Sequence, residues 1–258
     1  SLAVGEVPAY DQVANILTKP VSVSTFTRFR SLLQVLSIEK LGECQIQLHA
    51  IYVFGDSFVD ASNNQYLNSP ASFNCTPYGY DFGVPSGNAM GPATNGRTVV
   101  DFIPQVAGLP FPPPILRLSK AQRKTTPTGV NHGSASSGKQ PSPPPAIKIF
   151  VSYLKGQLDL PESFAFFMSK SLFFIHMGTN DLGTFWELEY QGKTIYKLGA
   201  RKFLLDNNVS PLGCVPANIH AKKHNTSCVE DINQRVAFFN GLLPNVLTKL
   251  EKILTGST

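Results

Sequence analysis

No stretch of this sequence approaches the ~20 consecutive apolar residues that a membrane-spanning helix requires. The longest candidate is residues 171–177, SLFFIHM. Residues 1–25 lack the basic start and following apolar run of a secretory leader. There is no initiator methionine, so the sequence reads as a processed or partial product. Charge is sparse, at 15% of residues, and the net charge of +5 is scattered rather than gathered into a patch. That argues for an ordinary basic protein and against nucleic-acid binding. Cysteine is limited to Cys44, Cys75, Cys214 and Cys228, an even count that permits disulfides without requiring them. His220 and His224 lie close to Cys228, but the stretch offers too few ligands for a metal site.

What is present is enough for one sizeable core, since 42% of the 258 residues are hydrophobic. Strand-like and helix-like stretches alternate along the chain. Strands are expected at 51–54, 171–177 and 201–205, with 129–131 as the start of a further one. The 171–177 run is continuously apolar, as in a parallel strand buried on both faces. Helices are expected at 29–41, at 98–106 and from about 229 to 254. In the last, Ser227-x-x-Glu230 looks like a capping box, and Pro244 is expected to introduce a kink. Residues 60–96 read as loop, and 109–140, rich in Pro, Lys and Ser, as exposed and mobile. Strands separated by helices argue for a parallel sheet covered on both faces.

The densest chemical signal is Phe54-Gly55-Asp56-Ser57-Phe58-Val59-Asp60, directly after the apolar Ile51-Tyr52-Val53. A strand that ends in glycine delivers Ser57 at its tip. There the serine opens the next segment, where free N–H groups and a helix-type dipole favour negative charge. Asp56 and Asp60 are expected to satisfy backbone groups around that turn. Gly-Asp-Ser by itself is weak, since composition alone produces it in about one chain in ten of this size.

The longer stretch IYVFGDSFVD resembles the first block of the plant GDSL (SGNH) esterase/lipase family. NGRTVVDF at 95–102 with AGLPFPPP at 107–114, SKSLFFIHMGTND at 169–181, and IYKLGARKF at 195–203 with VSPLGCVPA at 209–217 resemble its later landmarks, in order. The resemblance covers most of 51–258, and 1–50 match nothing in it. It implies a three-layer α/β/α sandwich around a parallel, flavodoxin-like sheet. It further implies a serine ester hydrolase acting on acyl esters, lipid or cuticular, through a Ser57 acyl-enzyme. Ser57 also offers its own N–H to the oxyanion, and Asn180 is a further oxyanion donor, with Gly178 letting the strand end turn. A second donor is placed at Gly138, in GVNHGSASSG, where His132, Gly133 and Lys139 depart from the family pattern.

The family closes with Asp-x-x-His, which supplies its acid and base, and no Asp-x-x-His occurs in this sequence. The chain stops before that block would arrive, so a fifth strand and last helix are expected to be missing. The substitute bases on offer are His49, His132, His176, His220 and His224; His176, near the carboxyl end of its strand, is the most interesting. Segments 138–147 and 181–195 look shortened.

The chemistry calls for no cofactor and no metal. The expected partner is an acyl ester or lipid substrate, with no transmembrane segment and the oligomeric state open. The alternatives are a truncated pseudoenzyme that at most binds acyl groups, and a carbohydrate-ester esterase on the same fold. In plants the family is mainly secreted. Secretion would make glycan acceptors of the sequons at Asn74, Asn208 and Asn225. Cys214 and Cys228 bracket a polar loop, match cysteines of the resembled plant signature, and are expected to pair. Cys44 and Cys75 are expected to stay free.

Overall fold

The computed structural model describes residues 47–67, 71, 73, 75–76, 78–81, 92–124, 126–137, 150, 161–176, 178–180, 182, 185–205, 209–221 and 223–258. The expected helix at 29–41, Cys44, the sequons at Asn74 and Asn208, and Gly138 lie outside these residues.

Three short strands, β1 (Ile51–Gly55), β2 (Leu172–His176) and β3 (Lys202–Leu205), pair in parallel in the order β1-β2-β3. The register sets Tyr52 beside Phe173 and Phe54 beside Ile175, with Phe173 beside Phe203 and Ile175 beside Leu205. Because side chains alternate across a strand, these residues share one face. They pack against Phe150, Met168, Leu188, Ile195, Leu250 and Leu254. The last five come from or beside α3 (Pro161–Ser169), α4 (Trp186–Lys197) and α6 (Glu230–Ile253). The opposite face presents Ile51, Val53 and Phe174 to Val59, Val100 and Ile103. Val100 and Ile103 belong to α1 (Val99–Val106). Helices therefore cover both faces, as the alternating pattern implied. Two short helices, α2 (Lys120–Lys124) and α5 (Pro216–Ala221), complete the described set.

Within 109–137 the expectation of an exposed, mobile segment is corrected in part: residues 119–122 are exposed, but 114–115 and 129–133 are buried. Ile115, Val130, Asn131 and His132 are all buried. Ile51 N–H donates to Thr128 O, Val53 N–H to Val130 O, and His132 N–H to Val53 O. The segment thus lies along the free edge of β1 as a parallel bridge, Val53 to Asn131. With it the order becomes that of a flavodoxin-like sheet. The expected strand start at 129–131 is therefore present as a bridge; its partner, nearly eighty residues upstream, could not be read from local composition. On the far edge, Thr258 N–H donates to Arg201 O at 2.8 Å and Phe203 N–H to Thr258 O at 2.9 Å. That is a parallel pairing pattern, so residue 258 sits on the outer edge of β3.

The expected capping box at Ser227 is not formed. Helix α6 begins at Glu230 with Val229 in the capping position, and Thr226, not Ser227, turns its hydroxyl back to Cys228 O. A capping box does form at Thr98, whose N–H and hydroxyl both reach the Asp101 carboxylate, at 2.6 and 2.9 Å. Helix α6 continues through Pro244.

Cys214 and Cys228 are joined in a disulfide, and Cys75 is free and exposed. The bridge closes a loop of sequence separation 14, which in the chain-entropy description contributes roughly 3 kcal/mol. Cys214→Ser with Cys228→Ser is therefore expected to lower the melting temperature by several degrees. Unchanged melting of the double variant, or peptide mapping that finds both thiols free in oxidised material, would count against the bridge.

Candidate active site

Strand β1 carries the site because it ends at Gly55, wedged against its neighbour. A Cβ there would meet His176 O and the Val59 side chain at 2.5 Å. The chain then turns through residues 56–59, closed by Val59 N–H donating to Asp56 O at 3.3 Å. The Asp56 carboxylate accepts from Phe58 N–H at 3.0 Å. No helix starts at Ser57, contrary to expectation: the next helical element is the 3-10 turn Asn63–Tyr66. The N–H groups near Ser57 belong to a tight turn, so a helix dipole is not the source of positive potential.

The loop after His132 is tied to this turn at several points. Gly55 O accepts from Ser134 N–H at 2.9 Å and from the Ser137 hydroxyl at 2.7 Å. Asp60 is fully buried; it accepts from the N–H groups of Ser62 (2.9 Å), Asn63 (2.7 Å) and Ala135 (3.0 Å). It therefore does what was expected of it locally and also reaches across 75 residues to hold the second loop. Gly133 fits because a Cβ there would strike Val59 O at 2.6 Å. Ser136 holds a left-handed φ of 66°, a conformation that costs a non-glycine residue about 1 kcal/mol or more.

Burial pushes the Asp60 carboxyl up from 3.8 to about 6, against the lowering effect of its backbone donors. Its proton is thus held more tightly in the folded chain than in the unfolded one. The burial cost of the carboxylate is present above pH 6 and is relieved as pH falls from about 6 towards 4. Asp60→Asn is expected to lose one acceptor, to destabilise by about 1–3 kcal/mol at neutral pH, and to remove this component. Melting curves of both chains across that window should therefore diverge towards acid, where the native carboxyl gains. Parallel curves would refute the assignment.

Asn180, in the turn after β2, donates its amide to Asp56 Oδ2 at 3.4 Å and to Ser137 O at 3.1 Å. It links the serine turn, the 132–137 loop and the end of β2. Gly178, just before it, holds φ at 125°, and a Cβ there would meet the Phe239 ring at 2.6 Å. Ser57 and Asn180 both line one cavity of about 550 Å³, together with Phe58, Phe73, Arg97 and Ser136. Ser57 is partly exposed in it. The structure thus brings two of the three candidate site residues, Ser57 and Asn180, to one cavity; the third, Gly138, is outside the described residues.

No histidine is among the described residues that line this cavity. His176 is buried, its Nε2 3.8 Å from Asp56 Oδ1 and its ring stacked on Phe58 at 4.7 Å. His132 is stacked on Phe54 at 4.9 Å and set edge-on to Phe150, and burial pushes it down to about 3, with the Arg123 charge adding. It is a neutral core residue. His49 packs on Phe166 and Phe167, and the His224 ring faces the carbonyls of Thr226 and Ile219. Among the described residues no histidine hydrogen-bonds the Ser57 hydroxyl, and no cluster able to hold a metal occurs. Sequence reasoning missed Ser137 and Arg97. Arg97 could have been found, since it lies in the NGRTVVDF landmark; Ser137 carried no signal of its own.

A parallel α/β/α sandwich with a serine at the tip of its first strand and an asparagine beyond its next defines an SGNH-type hydrolase architecture. Residues 51–258 match the model of the GDSL-like lipase/acylhydrolase family. The chain is 33% identical over 270 residues to GDSL esterase/lipase 7 of Arabidopsis thaliana, covering 87% of this chain and 72% of that protein. It is 35% identical over 202 residues to GDSL esterase/lipase At2g04020 of the same plant, covering 67% of this chain and 62% of the relative. The chain belongs to the GDSL-like lipase/acylhydrolase family.

Proposed function

We propose that Ser57 is the nucleophile of a serine ester hydrolase acting on lipid or cuticular acyl esters, with Ser57 N–H and the Asn180 amide as oxyanion donors. The observation that supports this most is the convergence of Ser57 and Asn180 on one cavity, from two strands, with family membership behind it. The Ser57 Oγ would attack the ester carbonyl, and the alcohol would leave as the acyl-enzyme forms. Water would then release the acid. The developing oxyanion needs donors fixed in advance; Asn180 is fixed by Ser137 and Asp56, and would turn one N–H from Asp56 to the oxyanion. Residues 51–258 would form the hydrolase domain, and secretion is consistent with the disulfide and with the exposed sequon at Asn225.

The second reading, an acyl-binding relative without turnover, is favoured by the absence of any described histidine on the Ser57 hydroxyl. Labelling with a fluorophosphonate followed by peptide sequencing tests the role of Ser57 under either reading. One modified serine is expected, lost in Ser57→Ala. Label spread over several serines, or unchanged in Ser57→Ala, would reject the assignment.

A further inference from the structure

The cavity around Ser57 is lined by apolar and neutral polar side chains, Phe58, Phe73 and Val99 among them. Among its described lining residues Arg97 alone carries a charge. Its side chain is exposed. One guanidinium N–H donates to Gln105 Oε1 at 3.2 Å, and the group lies 5.9 Å from the Phe102 ring centre and 5.0 Å from that of Phe111. Planar guanidinium over an aromatic face is a preorganised arrangement. The carboxylate near enough to feel its charge, Asp101, is buried and already bonded to the Thr98 N–H and hydroxyl. Among the described residues Arg97 forms no ion pair. A guanidinium has five N–H donors in a fork that matches a carboxylate, and among the described residues only one is used on a side chain.

We propose that Arg97 determines specificity by binding a free carboxylate on one arm of the ester, so that half-esters of dicarboxylic acids are the preferred substrate class. This rests on the reading of Ser57 as the acyl acceptor, which sets which end of the ligand faces the strand tip. The remaining walls favour an aliphatic or aromatic spacer between the two ends. Arg97 contributes ground-state binding and does not touch the reacting atoms.

The test uses the full chain with Ser57→Ala, so that the probe is not consumed. Binding of monobutyl adipate and of neutral butyl methyl adipate is measured by calorimetric titration at low salt. The half-ester is expected to bind about tenfold more tightly than the diester. With Arg97→Gln the gap should close while diester affinity stays put, and Arg97→Lys should keep part of it. High salt should narrow the gap, as the site is open to solvent. Equal affinities in the Arg97 chain, a gap that survives Arg97→Gln, or no binding of the half-ester would each overturn the proposal. Far-UV circular dichroism checks folding; should Arg97→Gln fail to fold, Arg97→Lys decides alone, since an intact gap there removes the fork from the argument. Loss of Ser57 labelling by fluorophosphonate would defeat the hydrolase reading without touching Arg97-dependent binding, so the two failures are distinguishable.

Discussion

A polypeptide of residues 1–258 is expected to hydrolyse p-nitrophenyl butyrate on the order of a millionfold more slowly than the same polypeptide extended by a family-like segment carrying Asp-x-x-His. A serine hydroxyl is a weak nucleophile near neutral pH unless a base takes its proton. These residues contain no Asp-x-x-His, and no described histidine hydrogen-bonds Ser57. In a serine protease, loss of triad members costs about a millionfold in turnover, while oxyanion hole and binding preserve roughly a thousandfold over water. Asn180 and the pinned 132–137 loop would supply that remainder here. The position of Thr258 on the outer edge of β3 favours the extension, since an appended strand would continue an existing pairing. The rival outcome is a recruited His176, buried 3.8 Å from Asp56. Robust turnover of residues 1–258, abolished in both Ser57→Ala and His176→Ala, would establish that dyad and sink the prediction.

How far the sequence could be read depended on whether the deciding contact was local. The strand β2 was legible because a continuous apolar run needs no distant information, and it spans 172–176 inside the expected 171–177. Helix α6 was legible from its period, spanning 230–253 against an expected 229–254, although its cap was misjudged. The Ser227 signature was real as a pattern, but the disulfide at Cys228 and the Gly213 O bond to Val229 N–H fix where the helix can begin. The turn after Ser57 was misread as a helix start, since an Asp carboxylate can cap a bare turn as readily as a helix. The strand start at 129–131 was marked by motif, but its pairing with β1, which buries 129–133 within a Pro- and Lys-rich stretch, was not. For the site, the serine and asparagine were marked by motif. The bonds from Ser137 to Gly55 and from Asp60 to Ala135 join residues 82 and 75 positions apart, and single-residue chemistry does not announce such pairs.

Gly55→Ala is expected to destabilise the chain by about 3 kcal/mol, at the upper end of the usual range for overpacking, and to slow Ser57 labelling with it. The added Cβ would fall 2.5 Å from His176 O and from Val59 Cγ2. The first is backbone in the paired strand, where the register sets Gly55 against His176. It cannot rotate away as a side-chain end could. Relief would have to come from parting β1 and β2 at the site end of the sheet, or from shifting the 56–59 turn. Either movement displaces Ser57 relative to Asn180, and Gly55 O also holds Ser134 and Ser137, so the loop beyond would follow. For a domain of this size the loss corresponds to a fall in melting temperature of about 6–12 °C. Gly241→Ala is the control. It lies in α6 with nothing within 4 Å of the added carbon, so helix propensity alone acts, and melting should stay level or rise slightly. Paired thermal melts with fluorophosphonate labelling rates read both effects. A Gly55→Ala chain that melts and labels like its parent would show that the strand tip is looser than the packing of β1 on β2 requires.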